Sequence, residues 1–245
     1  MRKYLRYALL TLLWGAVAAY VVYAGTAAGR LRAGKKVGRV EIEVVDSSSM
    51  GYLVSGRMVR EWIAHSGIKT NGTAVDAVEL AAIEALIAKN GFVERVDAYV
   101  TYGGVLHIDI SQRRPLLRLL TDGVDSYVTP EGYVFAAPRA SSLYVPVVTG
   151  AYRPPFPASF VGSVRGHMQE GIDRIAQRQE AERLKQKKLE KSYEDFMKLL
   201  TFVEFIEDDD FWRSEVVQIA AHTTPSGALE VELVPRSGRH TIVFG

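Results

Sequence analysis

The sequence predicts an α+β protein carried on a single transmembrane helix, and three observations lead there. Residues 7 to 29 contain no Asp, Glu, Lys or Arg, whereas Lys and Arg sit on both sides. The segment that follows orders its hydrophobic periodicities as β-α-α-β-β. From Pro115 onward short strand patterns and turns take over, interrupted by one long helical stretch. At 245 residues, 48% hydrophobic and 24% charged, the chain is long enough for one large domain or two small ones beside an anchor. It does not have the composition of a disordered protein.

The anchor comes first. Its 23 uncharged residues span about 34 Å as a helix, against a hydrocarbon core of about 30 Å, so one crossing fits with a little tilt. Tyr4 and Tyr7 lie at one end, Tyr20 and Tyr23 near the other, and Trp14 between them, which suits interfacial anchoring only in part. Thr26-Ala27-Ala28 resembles a signal-peptide cleavage site, but the apolar region of a cleavable signal is about 7 to 15 residues, and this run is longer. Retention as an anchor is therefore expected. Three basic residues precede the span and five follow it, which by count alone leaves the N-terminus outside. A six-residue tail is a poor sample for that rule, and a single span delivers all of residues 40 to 245 to one side in either orientation.

Charge is unevenly spread. Residues 1 to 39 hold eight basic residues and no acidic one, leaving 22 basic against 28 acidic groups in the other 206, a net of −6. A nucleic-acid-binding body needs a basic face to displace phosphate counterions, so this balance argues against one. The absence of Cys excludes disulfides, thiolate metal sites, a Cys nucleophile and a lipidated Cys.

After the basic juxtamembrane stretch, Val40, Ile42 and Val44 alternate with Glu41, Glu43 and Val45, the period of a strand with one wet face, ended by Asp46 to Ser49. Ser55 precedes a short helix over 56 to 65, with Met58, Val59, Trp62 and Ile63 at helical spacing and Gly67 as its stop. In the second helix Thr73 and Asp76 offer N-cap oxygens, Val78, Ala82, Ile83, Leu86 and Ile87 form the apolar stripe, and Asn90-Gly91 closes it. Val96, Ala98 and Val100 face one way along the next strand. Gly103-Gly104 supply positive φ angles for a turn, and Leu106, Ile108 and Ile110 alternate on the return. The two helices can cover one face of this small sheet.

The second half reads as strands at 116 to 120, 126 to 128 and 133 to 135, with turns at Asp122-Gly123 and Pro130-Glu131-Gly132. A further extended run lies between Pro138 and Pro146, and residues 153 to 157 (Arg-Pro-Pro-Phe-Pro) form a loop. One long helix is expected over about 167 to 206. Its Tyr193, Phe196, Met197, Leu200 and Val203 form a packing stripe, whereas nine of the fifteen residues from Gln177 to Lys191 are charged, so the first half is expected in solvent, with a partner contact as the alternative. Strands at 216 to 221, 229 to 234 and 241 to 244 end the chain.

Catalytic chemistry is hard to find. The five His residues (65, 107, 167, 222, 240) include no pair at metal-ligand spacing. Ser66 and Lys69 match S-x-x-K, but Gly67 ends a helix where that chemistry needs one to begin, and no S-D-N or K-T-G partner occurs. Phosphate-binding glycine patterns and G-x-S-x-G are absent. The acidic run Glu207 to Asp210 offers oxygen ligands for a divalent cation, or else a solvated helix end before an aromatic plug at Phe211-Trp212. These findings favour a binding or scaffolding protein with no catalytic residue, cofactor, metal or small-molecule substrate.

A basic tail, one span, a β-α-α-β-β module, Gln112-Arg113-Arg114-Pro115 as a Q-x-x-P junction, and a β-rich module follow in that order. Asp210-Phe211-Trp212 after a helix, the Val217-Gln218-Ile219 strand and the final run from Glu232 to Gly245 add distal phrases. Together these resemble the FtsQ/DivIB family of bacterial cell-division proteins, in its Bacteroidetes-like branch. The resemblance implies a cytoplasmic tail (1–6), a transmembrane helix (7–29), a linker (30–37), a periplasmic POTRA-type domain (38–112) and a periplasmic β domain (113–245). It implies a non-enzymatic inner-membrane scaffold of the divisome at the septum, with FtsB/FtsL-like proteins as partners and the bilayer as its anchor.

Family members usually continue past the position of Phe244-Gly245 through a further helix to a last strand, the one associated with FtsB pairing. Either such a continuation follows Gly245 or the exposed edge is an earlier strand. Within the chain as it stands, main-chain pairing is expected at His240, Thr241, Ile242, Val243 and Phe244, with His240, Ile242 and Phe244 on one face. Two other classes stand against this reading. A POTRA-bearing outer-membrane assembly or secretion factor calls for several modules or a following barrel. An anchored envelope enzyme calls for a nucleophile with its base, or a ligand set.

Overall fold

The structure, a computed structural model, describes residues 2–45, 51–121, 123–138, 142–176 and 183–244, and of residues 2–9, 11, 27–33, 174–176 and 183 the backbone alone. Several expectations therefore lie outside the described residues: the strand end at 46–49, the turn residue Asp122, part of the run between Pro138 and Pro146, and residues 177–182 of the charged stretch. Helix α1 runs Arg2–Ala33 and includes residues 7–29, where the span was expected. Every described side chain from 12 to 26 on it is exposed, Leu12, Trp14, Val21 and Val22 among them. Among the described residues no helix is long and apolar enough to cross a membrane.

The chain forms two compact units, the first made of Met1–Glu43, Gly56–Ile87 and Val96–Ile110. Its elements after α1 are β1 (Arg39–Val44), α2 (Gly56–Ser66), a 3₁₀ turn (Val75–Ala77), α3 (Leu80–Ala88), β2 (Val93–Val100) and β3 (Val105–Gln112). This is the expected β-α-α-β-β order, with β3 central in a sheet of order β1-β3-β2. Leu106, Ile108 and Ile110 alternate into the interior along β3, and Val59 and Ile63 of α2 and Ile83 and Ile87 of α3 are buried at helical spacing.

The start of the second helix differs from expectation. Neither Thr73 nor Asp76 caps it, because the main chain there is engaged elsewhere: Gly72 N–H donates to Val37 O (2.8 Å), Val37 N–H to Thr73 O (2.9 Å) and Val75 N–H to Lys35 O (3.0 Å). Strand-like pairing thus takes the groups a helix start would use, and α3 begins only at Leu80. In the β2–β3 turn only Gly104 of the glycine pair has positive φ, at +80°. A Cβ on Gly104 would lie 2.7 Å from Lys36 O, so both conformation and space require glycine there.

The second unit comprises Val44–Ser55, Ala88–Arg95 and Ser111–Gly245. Its strands are β4 (Leu117–Thr121), β5 (Val124–Val128), β6 (Tyr133–Ala136), β7 (Val147–Thr149), β8 (Gly162–Ser163), β9 (Val216–Thr223), β10 (Leu229–Pro235) and β11 (Ile242–Phe244). They form one sheet of order β11-β10-β9-β7-β4-β5-β6-β8, in which β7 pairs parallel with both β4 and β9. Between β8 and β9 run α4 (Val164–Ala176), α5 (Arg183–Asp208) and α6 (Asp210–Glu215). One sheet face, through Leu117, Leu119, Val148, Ile219, Val231 and Leu233, packs with Phe196, Leu199, Leu200, Val203 and Ile206 of α5 in the main core. A smaller cluster joins Tyr127 and Phe135 to Leu53 and Leu143.

The single long helix expected over about 167 to 206 is two helices folded against each other. Arg165 Nε donates to Tyr193 Oη (3.4 Å), and Gly171 lies beside Leu189. Residues earlier in α4 thus meet residues later in α5, an antiparallel arrangement. The charged stretch is not wholly solvated either, since Leu189 packs against the main core, and Val164 and Met168 ahead of it enter that core. Of the extended run expected between Pro138 and Pro146, the described residues 142–146 form no strand, and β7 follows at Val147. Residues 153–157 have no helix or strand, as expected, but Phe156 is buried edge-on against Phe196, with ring centroids 5.5 Å apart.

Candidate functional site

The sheet ends at β11. It pairs antiparallel with β10 through Val231↔Phe244, Glu232↔Val243 and Leu233↔Ile242, and among the described residues no strand pairs with its other edge. Its main-chain donors and acceptors on that side are the kind that recruit a further strand. Only three of the five expected site residues lie in the strand. His240 and Thr241 are exposed residues of the connection leading into it.

Side chains fix the strand on one face and leave it bare on the other. Ile242 packs against the main core, and Phe244 lies against Phe202 of α5 with ring centroids 5.1 Å apart. Val243, on the opposite face, is 56% exposed. Beside Phe244, α5 presents a shallow, mostly apolar groove lined by Tyr193, Met197, Thr201, Phe202 and Phe205 together with Glu194 and Lys198. Phe205 is 55% exposed.

The connection from β10 to β11 is held by Glu215, the last residue of α6. Arg236 N–H donates to Glu215 O (2.6 Å) and Ser237 N–H to Glu215 Oε1 (2.7 Å). Hydrogen bonds from Ser237 hold the Glu215 carboxyl below the usual carboxylate range, with Arg236 and His240 adding to the effect. The placement of Glu215 depends on α6, whose N-cap is Asp209: its carboxylate accepts from the N–H groups of Phe211 (2.9 Å) and Trp212 (3.0 Å). Arg213 pairs with Asp210 on the same turn. The acidic run was expected as cation ligands or a solvated helix end, not as this cap, and the grip of Glu215 on a loop 22 residues later left no local pattern.

The other candidates resolve into local structure. Ser66 Oγ donates to Ile63 O (2.7 Å) and accepts from Ile68 N–H (3.2 Å), so the hydroxyl of S-x-x-K closes α2. Of the acidic run, Asp209 is the cap just described, and burial pushes the Glu207 carboxyl up from its ordinary value. Trp212 packs on the main core, but Phe211 is 64% exposed and plugs nothing. His107 stacks on Tyr99, His167 lies against Phe160, and His222 Nδ1 accepts from Ala151 N–H. Among the described residues no group of His, Asp and Glu is arranged to hold a metal ion.

Gln112, first residue of the Q-x-x-P phrase, is buried at 1% exposure. Its Oε1 accepts from Leu53 N–H and its Nε2 donates to Gly51 O, both at 2.9 Å. One side chain thus stands in for a main-chain partner and holds the segment that places Leu53 in the smaller cluster.

The chain thus carries a β-α-α-β-β module followed by a β module whose β11 has one edge unpaired among the described residues. Residues 35–111 match the POTRA-like domain model, and residues 114–245, more than half of the chain, match the model of the FtsQ/DivIB, C-terminal related family. The chain belongs to the FtsQ/DivIB family, as the distal phrases of the sequence implied. No match was found among curated proteins. Membership supports a division-related scaffold role, in a family that is generally non-enzymatic and works with divisome proteins.

Proposed function

We propose that the protein is a non-catalytic, bitopic inner-membrane scaffold of the division machinery, recruiting FtsB/FtsL-like membrane proteins at the septum through the free edge of β11. In this reading α1 crosses the membrane with its N-terminus in the cytoplasm, and the rest of the chain is periplasmic. The carrying observation is the unpaired outer edge of β11, fixed by Ile242, Phe244 and the Glu215-held connection. The sheet's opposite end is a poorer platform, because β8 is two residues long and runs at once into α4. For the anchor, support comes from a 23-residue uncharged run whose described side chains face solvent all round, the pattern of a helix that needs a lipid environment.

Successive N–H groups along a strand alternate between its two edges, so proline at 243 and proline at 244 strike different edges. One of Val243→Pro and Phe244→Pro is expected to keep the circular dichroism of the parent yet lose capture of divisome partners from solubilised native membranes. Full capture by both variants, with the fold kept, would refute the edge. Protease added to spheroplasts is expected to digest residues 40–245 and spare a short anchored fragment. Ser66→Ala with Lys69→Ala is expected to leave division intact at normal protein levels.

A further inference from the structure

The connection from α1 to β1 is bonded into the first unit and is no loose tether. Val75 N–H donates to Lys35 O (3.0 Å), Val37 N–H to Thr73 O (2.9 Å) and Gly38 N–H to Gly104 O (2.9 Å), so residues 35 to 38 run against both the 72–75 segment and the β2–β3 turn. The Lys35 ammonium completes the attachment: it donates to Tyr102 O (2.9 Å) and stands 3.3 Å from the centroid of the Tyr102 ring. Tyr102 is nonetheless 65% exposed, and Lys36 is exposed as well.

Chain length limits how far this cluster stands from the uncharged run. Helix α1 continues from residue 29 to Ala33, about 6 Å of rise, and two further residues add at most roughly 7 Å. Lys35 therefore lies within about 13 Å of the end of that run, and the headgroup layer beyond the hydrocarbon core is about 5–7 Å deep. A Lys or Tyr side chain covers most of the remainder, and tilt of the helix shortens it.

An ammonium and a phenol at this height share a use. Tyr rings settle at the membrane interface, and Lys near an anionic surface is drawn to lipid phosphate. Tyr102 O takes one of the three N–H donors of Lys35, which leaves donors for a phosphate oxygen. Charge orients the unit in the same sense. Arg39 is already paired with Glu41 (3.2 Å), and residues 40 to 245 carry a net charge of −6, so an anionic surface attracts the end that holds Lys35 and Lys36 and repels the remainder. Asp76, exposed on the 3₁₀ turn, offsets one of those two charges.

We propose that the β2–β3 turn, clamped through Tyr102 and Lys35 to the end of α1, rests on anionic phospholipid headgroups, with Tyr102 at the interface and Lys35 and Lys36 as the paired cations. This rests on the reading that α1 crosses the membrane and adds a second, surface contact to it.

The test uses the full-length protein in lipid nanodiscs. The chain has no Cys, so Gly103→Cys gives a single labelling point on the turn, where a Cβ meets Thr101 Oγ1 at 3.9 Å, an ordinary contact. A fluorophore there is read for quenching by nitroxide-headgroup lipid, in discs of phosphatidylcholine alone and of phosphatidylcholine mixed with phosphatidylglycerol. Each Lys is expected to favour the docked state about five-fold on the anionic discs, so quenching should be stronger there and should fall at high salt. Lys36→Glu should shrink the difference between the two compositions, and Lys35→Glu with Lys36→Glu should abolish it. Tyr102→Ala should lower quenching on both, and Tyr102→Trp should restore it. Melting temperature checks the fold, and the exposed Lys36→Glu carries the test should the double variant unfold. Equal quenching on both compositions, unmoved by Lys36→Glu while protein and disc still co-elute, would overturn the docking and leave the anchor standing. Protein that elutes apart from the discs would sink the membrane-crossing reading and this inference with it.

Discussion

Removing the side-chain clamp at Gln112 tests how the second unit is held together, and Gln112→Leu is the sharper perturbation because it keeps the volume and deletes only the polar contacts. Two hydrogen bonds are lost, to Leu53 N–H and Gly51 O, and a buried donor at Leu53 is left without its acceptor. A net hydrogen bond is worth about 1 kcal/mol, and an unsatisfied buried group costs about 1–3 kcal/mol. Part of this is recovered from the apolar leucine, so the expected loss is about 2–4 kcal/mol, a large share of a typical stability of about 5–15 kcal/mol. At about 2–4 °C per kcal/mol for a unit of this size, the melting temperature should fall by roughly 4–16 °C. Hydrogen exchange localises the effect: the Leu53 amide should lose protection first, followed by the main chain near Tyr127 and Phe135, whose cluster Leu53 completes. Gln112→Glu should be worse than Gln112→Leu, since it keeps the acceptor for Leu53 but turns an oxygen toward Gly51 O. An unchanged melting temperature for Gln112→Leu, with Leu53 still protected, would refute the reasoning.

Three further outcomes follow from local geometry. Asp209→Ala removes the N-cap of α6 and should cost about 1 kcal/mol by chemical denaturation, with Asp209→Asn recovering most of it. Gly104→Ala places a Cβ against Lys36 O in a left-handed turn and should destabilise the first unit by about 1–2 kcal/mol or more, read from the denaturation midpoint. Because the folded Glu215 carboxyl lies below its ordinary value of 4.5, its stabilising effect is complete above that pH and is lost as pH falls through the lowered value. Protection of the amides in residues 236–240, read as exchange relative to the intrinsic rate at each pH, should therefore fall on acidification in the parent protein and be already low and flatter with pH in Glu215→Gln.

Local order was well recorded in the sequence, and long-range pairing was not. Alternation in β1, β2 and β3 and the helical stripes of α2 and α3 were legible because each buries one face on a simple period. The 3₁₀ turn was hidden, since residues 72–75 give up helix geometry to bond with residues 35–37, and no pattern within either segment announces the other. Nothing in the charged stretch breaks a helix, so the α4–α5 reversal had no signal there. Val164 and Met168 belong to the main core through a contact made only after the chain folds back. At the candidate site the apolar alternation marked Ile242 and Phe244. Phe202 and Phe205 lay off the α5 stripe, and their relevance comes from the arrival of β11 beside them.

An exposed sheet edge is a hazard as well as an opportunity, and the design of this one limits the hazard. With three residues β11 offers few main-chain groups to a wrong partner, and short edge strands are one of the ways proteins suppress unwanted pairing. Such a strand gains little from its own ladder. Its position comes instead from side chains and from the connection before it: Ile242 in the core, Phe244 on Phe202, and the loop tied to Glu215. A strand fixed in this way is already in the conformation that binding requires, so an incoming segment bears the ordering cost alone. The groove of α5 lies beside Phe244 and, in the proposed reading, would give that segment apolar surface beyond what three residues of pairing provide. In the proposed reading, affinity would then depend on how firmly Asp209, α6 and Glu215 keep the strand in place.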